Sequence, residues 1–304
     1  MSSAISTEAA AAGVEPGGTV IAAPGLWRRV WKNKAVVVGG ALLLAIVFIA
    51  LAAPWIAPYD PYAQDLANRN VPPFWYDGGS SAHPLGTDPL GRDYLSRLVY
   101  GGRISLAIGV AVAIISGLIG TTMGMLAGYF GGRTDMVVSF MVTTRLSMPV
   151  ILVALATVAL IGGSLWVVIL VLGLLKWDRF AVVMRSATQQ VRSLDYVAAA
   201  QAAGASTARV LLGEVLPNVA PHLIVVATLE AASAILLEAA LSFLGLGVQP
   251  PLPSWGLMIS EAKSYMFFSF WLIALPGAAL AILIFAINLA GDGLRDLLAP
   301  EGRA

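Results

Sequence analysis

"AVVVGGALLLAIVFIALAA", Ala35 to Ala53, is a run of 19 residues without a single charge. A hydrocarbon layer about 30 Å thick is crossed by roughly 20 apolar residues of helix, so this run predicts a membrane span. It begins at residue 35 and is longer than a signal-peptide core, so it is read as a retained span and not a cleaved leader. The rest of the chain has the same character. Its 304 residues are 58% hydrophobic and 12% charged, with a mean hydropathy of +0.83. Soluble globular chains average about 25% charged residues, so lipid is the natural solvent. Five more apolar stretches follow, at about Ile104–Tyr129, Val137–Ile161, Leu165–Met184, Leu223–Leu246 and Phe270–Leu289. The expected architecture is an all-α integral membrane protein with six transmembrane helices.

Orientation follows from the bias of Lys and Arg toward cytoplasmic loops. Arg28, Arg29, Lys32 and Lys34 precede the first span, and Arg133, Arg185, Arg192, Arg209, Arg295 and Arg303 fall on the same side. Arg69, Arg92, Arg97, Arg103 and Lys263 fall on the other, with Asp60, Asp65, Asp77, Asp88, Asp93 and Glu261. Ten against five places both termini in the cytoplasm. The outside segment between the first two spans ends in a stretch where Thr87 or Asp88 can cap a helix starting at Pro89, expected to lie along the outer membrane surface.

Several chemistries are excluded. With no cysteine there is no disulfide scaffold, thiol nucleophile or cysteine-ligated zinc. No Lys follows a Gly, so there is no phosphate loop of the Walker A type, and neither a GxSxG elbow nor an HExxH pair occurs. His83 and His222 lie on opposite sides of the expected membrane, which leaves no metal site. A net charge of +1 provides no field for nucleic acid. No catalytic residue is expected.

Two features remain. Gly117, Gly120, Gly124 and Gly128 on the second span let another helix backbone approach closely, and close packing is the reading taken over a pore-lining role. Glu230 and Glu238 lie on the fifth span, about 80° apart around the helix. Ionisable residues inside a span are functional candidates, so both are candidates for the translocation path. For Glu230 the alternative is a hydrogen bond to a neighbouring span, or protonation in place; for Glu238 it is an architectural role. Lys176, Asp178 and Arg179, near one end of the fourth span, are expected to pair with each other or with headgroups.

Between the fourth and fifth spans stands "RSLDYVAAAQAAGASTARVLLGEVLPNVAPH", Arg192 to His222. An alanine-rich helix over Tyr196–Ala203, interrupted at Gly204, and a second stretch over Thr207–Val215 that stops at Pro217 form a small cytoplasmic knob. Ala198, Ala199, Ala200, Gly204, Leu216 and Pro217 resemble the EAA loop of bacterial ABC importer permeases at its spacing, with Ala198 in place of the leading Glu and Glu214 in place of the Ile. Three more blocks, Leu85–Leu106 "LGTDPLGRDYLSRLVYGGRISL", Glu238–Gly256 "EAALSFLGLGVQPPLPSWG" and Asn288–Pro300 "NLAGDGLRDLLAP", are similar to the C-type permease subunit of dipeptide, oligopeptide and nickel importers. Related permeases carry an Arg and an Asp on the third span where this chain has Phe140 and Thr143; Arg145 stands nearby, expected to snorkel to the cytoplasmic interface or to pair with an acid of the partner permease.

The resemblance implies a type I ABC importer permease fold and a bacterial inner-membrane location. It also implies a heterodimer with a second homologous permease, two ATP-binding subunits and a periplasmic binding protein. ATP and Mg are then used by the partner subunits, with no cofactor on this chain. Tyr196, Ala198, Ala199, Ala200, Gly204, Ala205, Leu216 and Pro217 become the coupling contact. The implied division is a disordered tail over 1–27, a first transmembrane helix over 28–53 and a periplasmic segment with a surface helix over 54–103. A permease core follows over 104–290, with its coupling loop at 195–218, and then a C-terminal tail over 291–304. Di- and oligopeptides are the expected cargo; nickel chelates, glutathione-like peptides, sugar conjugates, and a proton-coupled secondary transporter built on the two glutamates are the alternatives.

Overall fold

Lys34 starts the first helix because the Asn33 side chain accepts hydrogen bonds from the backbone of Ala35 and Val36, at 3.0 and 3.2 Å. A computed structural model describes residues 30–298; the expected N-terminal tail over 1–27 lies outside the described residues, as do the last six residues. Apart from one isolated antiparallel bridge between Thr87 and Asp93, the regular structure described is helical. The longer helices are α1 (Lys34–Leu51), α2 (Tyr94–Phe130), α3 (Gly132–Leu146), α4 (Val150–Ile161), α5 (Leu165–Leu175), α6 (Asp178–Arg192), α7 (Asp195–Ala202), α8 (Leu216–Phe243), α9 (Trp255–Ala262) and α10 (Trp271–Leu298).

Four rods are long and apolar enough to cross a bilayer: α1, α2, α10, and α8 together with the turns that lead into it from Thr207. The helices α3 and α4, bent by 80° at Ser147–Pro149, make a fifth if the pair is one span. The stretch read as the fourth span is divided between α5 and α6, which are separated at Lys176 and Trp177. Hydropathy counts apolar residues and does not see such breaks. Among the described residues, helix length and composition alone mark four crossings, or five with the bent pair, and do not by themselves mark the expected sixth.

Three boundaries differ from the sequence reading. The helix expected to start at Pro89 starts at Tyr94, capped by Asp93, whose carboxylate accepts from Ser96 N at 2.8 Å. Asp88 does not cap it, because its Oδ1 holds the turn amides of Leu90 and Arg92 (both 2.9 Å) while its Oδ2 binds two arginines. The expected surface segment thus becomes the first turns of the continuous 37-residue α2. Pro217 does not stop the helix before it. A π-helical segment over Val210–Val215 runs directly into α8, and Pro217 sits in the first turn of α8, where a missing N–H costs little. The C-terminal helix continues to Leu298, through much of the expected tail.

Close backbone contact organises the bundle. Along α2, a Cβ on Gly120 would lie 2.2 Å from the Trp177 carbonyl oxygen, one on Gly124 2.5 Å from that of Ala181, and one on Gly128 2.6 Å from that of Arg185. Gly117 faces the Phe180 ring, at 3.3 Å. Three turns of α2 therefore rest on the backbone of α6, with no room for a side chain between them. The outermost helices pair similarly: Gly39 of α1 faces Ala290 N, and Gly293 of α10 faces Val36. At the far end of α2, two quoted motif blocks interlock. Trp255 lies on Gly101 and Gly102, and its indole N–H donates to Leu98 O at 2.8 Å.

Replacing Gly124 by Leu should force α6 off α2, an overpacking cost of about 3 kcal/mol or more. Thermal unfolding of the detergent-purified chain should show a clear loss of stability, whereas Gly40→Ala, with nothing within 4 Å of its Cβ position, should leave it unchanged or raised.

Candidate functional site

Lys176 follows directly on the apolar helix α5, and a lone ammonium buried there would be costly. It is 6% exposed and fully partnered: Nζ is 2.6 Å from Glu230 Oε2 and donates to Ser233 Oγ at 2.8 Å. Glu230, near the middle of the 28-residue α8, is 1% exposed. Its other oxygen, Oε1, is 3.3 Å from Arg179 Nη1, an ion-pair distance without a formed hydrogen bond. Arg179 differs from its neighbours in that its side chain is 67% exposed. The carboxylate of Asp178 stands in the first turn of α6, where the helix dipole favours it. Lys176 and Arg179 thus pair across to α8, a partner choice that adjacency along the chain did not reveal.

Arg145 approaches the same break from α3. Its Nε donates to the Leu175 carbonyl at 2.5 Å and its Nη1 to that of Met148 at 3.4 Å. Leu175 ends α5, so the guanidinium satisfies a carbonyl that the broken helix leaves without an amide partner. Around it Thr143, Thr144 and Ser147 turn their hydroxyls back to carbonyls four residues earlier, each at 2.9 Å, beside the exposed apolar side chains of Phe140, Met141 and Leu146. Nearer the end of α2 at Phe130, Arg185 and Asp135 form a two-bonded pair joining α6 to α3, with Nη2 to Oδ2 at 2.7 Å.

Glu238 occupies a separate setting. It is fully buried, and its Oε1 accepts from Ser242 Oγ at 2.7 Å and Ser254 Oγ at 2.9 Å. Ser254 in turn caps α9, accepting from Leu257 N. Glu238 therefore ties α8 to the loop that carries Trp255. A third charged cluster joins residues that the sequence marks only as outer-loop charges. Arg92 and Arg97 share Asp88, and Arg97 Nη2 reaches Glu261 Oε2 at 2.8 Å; Asp88, Arg92 and Arg97 are all buried. The signal was present in "GTDPLGRDYLSRL", where acids and arginines recur at helical spacing ahead of an apolar run.

The knob forms at the opposite end of α2 from this cluster. The helix α7 ends in a Schellman motif: Gly204, at φ +81°, donates to Gln201 O at 3.0 Å, and Ala205 donates to Ala200 O at 3.1 Å. This explains the glycine at that spacing, since the position requires a left-handed backbone. Val197, Val210, Leu211 and Val215 anchor the base of the knob against Met125 and Met184. Gln201 Nε2 donates to Tyr129 OH at 2.9 Å, fixing the knob to the end of α2. Ala198, Ala199 and Gly204 are exposed, Ala200, Ala205 and Leu216 partly covered, and Tyr196 and Leu212 present exposed apolar surface beside them. A surface of small and apolar residues on a rigid base is shaped to receive another protein.

Long apolar helices, one broken at mid-length around buried ions, with a projecting knob of small residues, define a solute permease. Comparison with known proteins is specific about which kind. A family model described as "Binding-protein-dependent transport system inner membrane component" matches residues 120–303, and another, "N-terminal TM domain of oligopeptide transport permease C", matches residues 25–73. The chain belongs to the family of binding-protein-dependent transport system inner-membrane components. It is 43% identical to the di/tripeptide transport system permease protein DppC of Pseudomonas aeruginosa over 275 residues, covering 90% of this chain and 91% of that one. It is 42% identical to the dipeptide transport system permease protein DppC of Escherichia coli K12, covering 90% and 92%. Among solved structures, the inward-facing MetNI methionine ABC transporter shares its fold, with a TM-score of 0.56 at 19% identity over 67% of this chain and 98% of that one. The chain is thus a multi-pass membrane permease of an ABC importer, a translocation subunit that works with a separate ATPase and a binding protein.

Lys176→Met should leave buried Glu230 with only the looser Arg179 contact, at a cost approaching about 3–5 kcal/mol. The double variant with Glu230→Gln should recover much of that loss. Melting of the purified single and double variants in detergent checks the coupling.

Proposed function

We propose that this chain forms half of the translocation pathway for di- and oligopeptides delivered by a periplasmic binding protein. Its partner in the membrane is a second homologous permease, and two ATP-binding subunits drive the pair. ATP and Mg act on those subunits, and this chain carries no cofactor of its own. Both termini face the cytoplasm of a bacterial inner membrane, in keeping with the ten-to-five distribution of Lys and Arg. The core over 104–290 holds the pathway, the segment over 54–103 faces the periplasm, and the loop over 195–218 makes the coupling contact.

One observation carries the reading: the Schellman-capped knob at Asp195–Ala205 presents Ala198, Ala199 and Gly204 to solvent at the EAA spacing, on a base packed into the bundle. Tyr196, Ala200, Ala205, Leu216 and Pro217 complete this contact and its attachment to α8. In the pathway, the group at mid-depth is the ion cluster around Glu230, while Glu238 braces α8 against the loop beneath the periplasmic face. Relatives named for di- and tripeptides, and one named for glutathione at 36% identity, support a peptide cargo over nickel chelates or sugar conjugates.

Gly204→Asp, or Ala199→Trp, should reduce uptake of a labelled dipeptide to background while the amount of permease in the membrane is unchanged. Uptake in cells carrying the whole importer, with immunoblots of the membrane fraction, tests this. Unimpaired uptake with normal ATPase coupling would overturn the assignment of the loop. Uptake that persists without ATP while a proton gradient remains would favour proton coupling instead.

A further inference from the structure

We propose that Arg179 receives the terminal carboxylate of a peptide in transit. This rests on the peptide-permease reading above and adds a binding station to it.

Arg179 lies 3.3 Å from Glu230, which stands near the middle of α8, one of the rods long and apolar enough to cross a bilayer. Gly120, Gly124 and Gly128 fix the α6 backbone against α2, so Arg179 cannot retreat toward either membrane surface without moving the helix. Its side chain is nevertheless 67% exposed on the chain itself, whereas Lys176 and Glu230 beside it are closed off. An exposed guanidinium at this depth is disfavoured against hydrocarbon and stable against water or a partner group.

The charge balance indicates which ligand fits there. Lys176, Arg179 and Arg145 contribute three positive charges; Glu230 and Asp178 contribute two negative ones. Lys176 takes one oxygen of Glu230 at 2.6 Å, Arg179 stands 3.3 Å from the other without a formed hydrogen bond, and Arg145 bonds only backbone carbonyls. The cluster carries one positive charge in excess; Arg145 commits its N–H groups to carbonyls, and the exposed Arg179 fork, with no formed hydrogen bond to Glu230, is the one open to a carboxylate. The partial claim of Glu230 on Arg179 limits how tightly an anion is held, as a path that must also release its cargo requires.

The test uses the assembled importer in proteoliposomes, with binding protein saturated by either a dipeptide or the same dipeptide as its C-terminal amide. Saturation of each cargo separates the path from recognition by the binding protein. Arg179→Gln should slow the free acid by about tenfold or more, the loss expected for one charge-assisted hydrogen-bond pair. The ratio of free-acid to amide rate should fall by that factor, and Arg179→Lys should restore part of it. Equal slowing of both cargos, or no slowing, would overturn the proposal. So would failure of Arg179→Gln to co-purify with the second permease, which would make Arg179 an intersubunit ion-pair residue. If the wild-type importer moves neither dipeptide form, the peptide reading itself fails, a result distinct from a wild type that transports both and a variant that matches it.

Discussion

The contact on which the bundle depends is backbone on backbone: three glycines of α2 lying on the carbonyls of Trp177, Ala181 and Arg185. In lipid there is no hydrophobic gain from bringing helices together, so association relies on close packing, and glycine gives the closest. By seating α6, this contact also positions the buried charges. The Trp177 carbonyl belongs to the break between α5 and α6, so the same seam holds Lys176 opposite Glu230 and turns Arg179 outward. Further along, Gly128 brings Arg185 within reach of Asp135 on α3.

Charge in this chain is sparse and is concentrated at three levels. Asp88, Arg92, Arg97 and Glu261 lock the loop before α2 to α9. Lys176, Glu230 and Arg179 bridge the break to α8, and Asp135 with Arg185 joins α3 to α6. Each bridges segments distant in sequence, and each leaves its ions with partners that lipid could not supply. Burial of this kind adds little net stability, but it penalises any arrangement in which a partner is missing. The alternative packings of a bundle of similar apolar helices are thereby excluded.

Much of this was legible in the sequence where the signal is local. The apolar runs mark α1, α2, α8 and α10, the glycine spacing marks the packed face of α2, and the alanine-rich stretch before Gly204 marks the knob. The features that were not legible depend on tertiary choice. Asp88 and Asp93 are both competent caps, and Arg97, nine residues on, takes Asp88 out of contention. Pro217 reads as a stop, yet a π-helical segment ahead of it keeps the rod continuous. Lys176 and Glu230 stand 54 positions apart, and their pairing depends on how two helices are rotated about their axes. The apolar run over 137–161 contains Ser147 and Pro149, whose 80° bend leaves its hydropathy almost untouched.

The helical passage from Thr207 through the π-helical segment into α8, with Pro221 inside it, connects the knob to Glu230. Their separation of 23 residues corresponds to about 35 Å of helix. Leverage follows from that length: a tilt of only about 5° at the Thr207 end would carry the Glu230 end sideways by about 3 Å. The Lys176–Glu230 contact spans 2.6 Å, so a swing of that size exceeds its reach. A tilt passed from the knob through the Ala205–Ser206 turn, with the passage moving as one body, would thus be large enough to unlatch the buried ion pair.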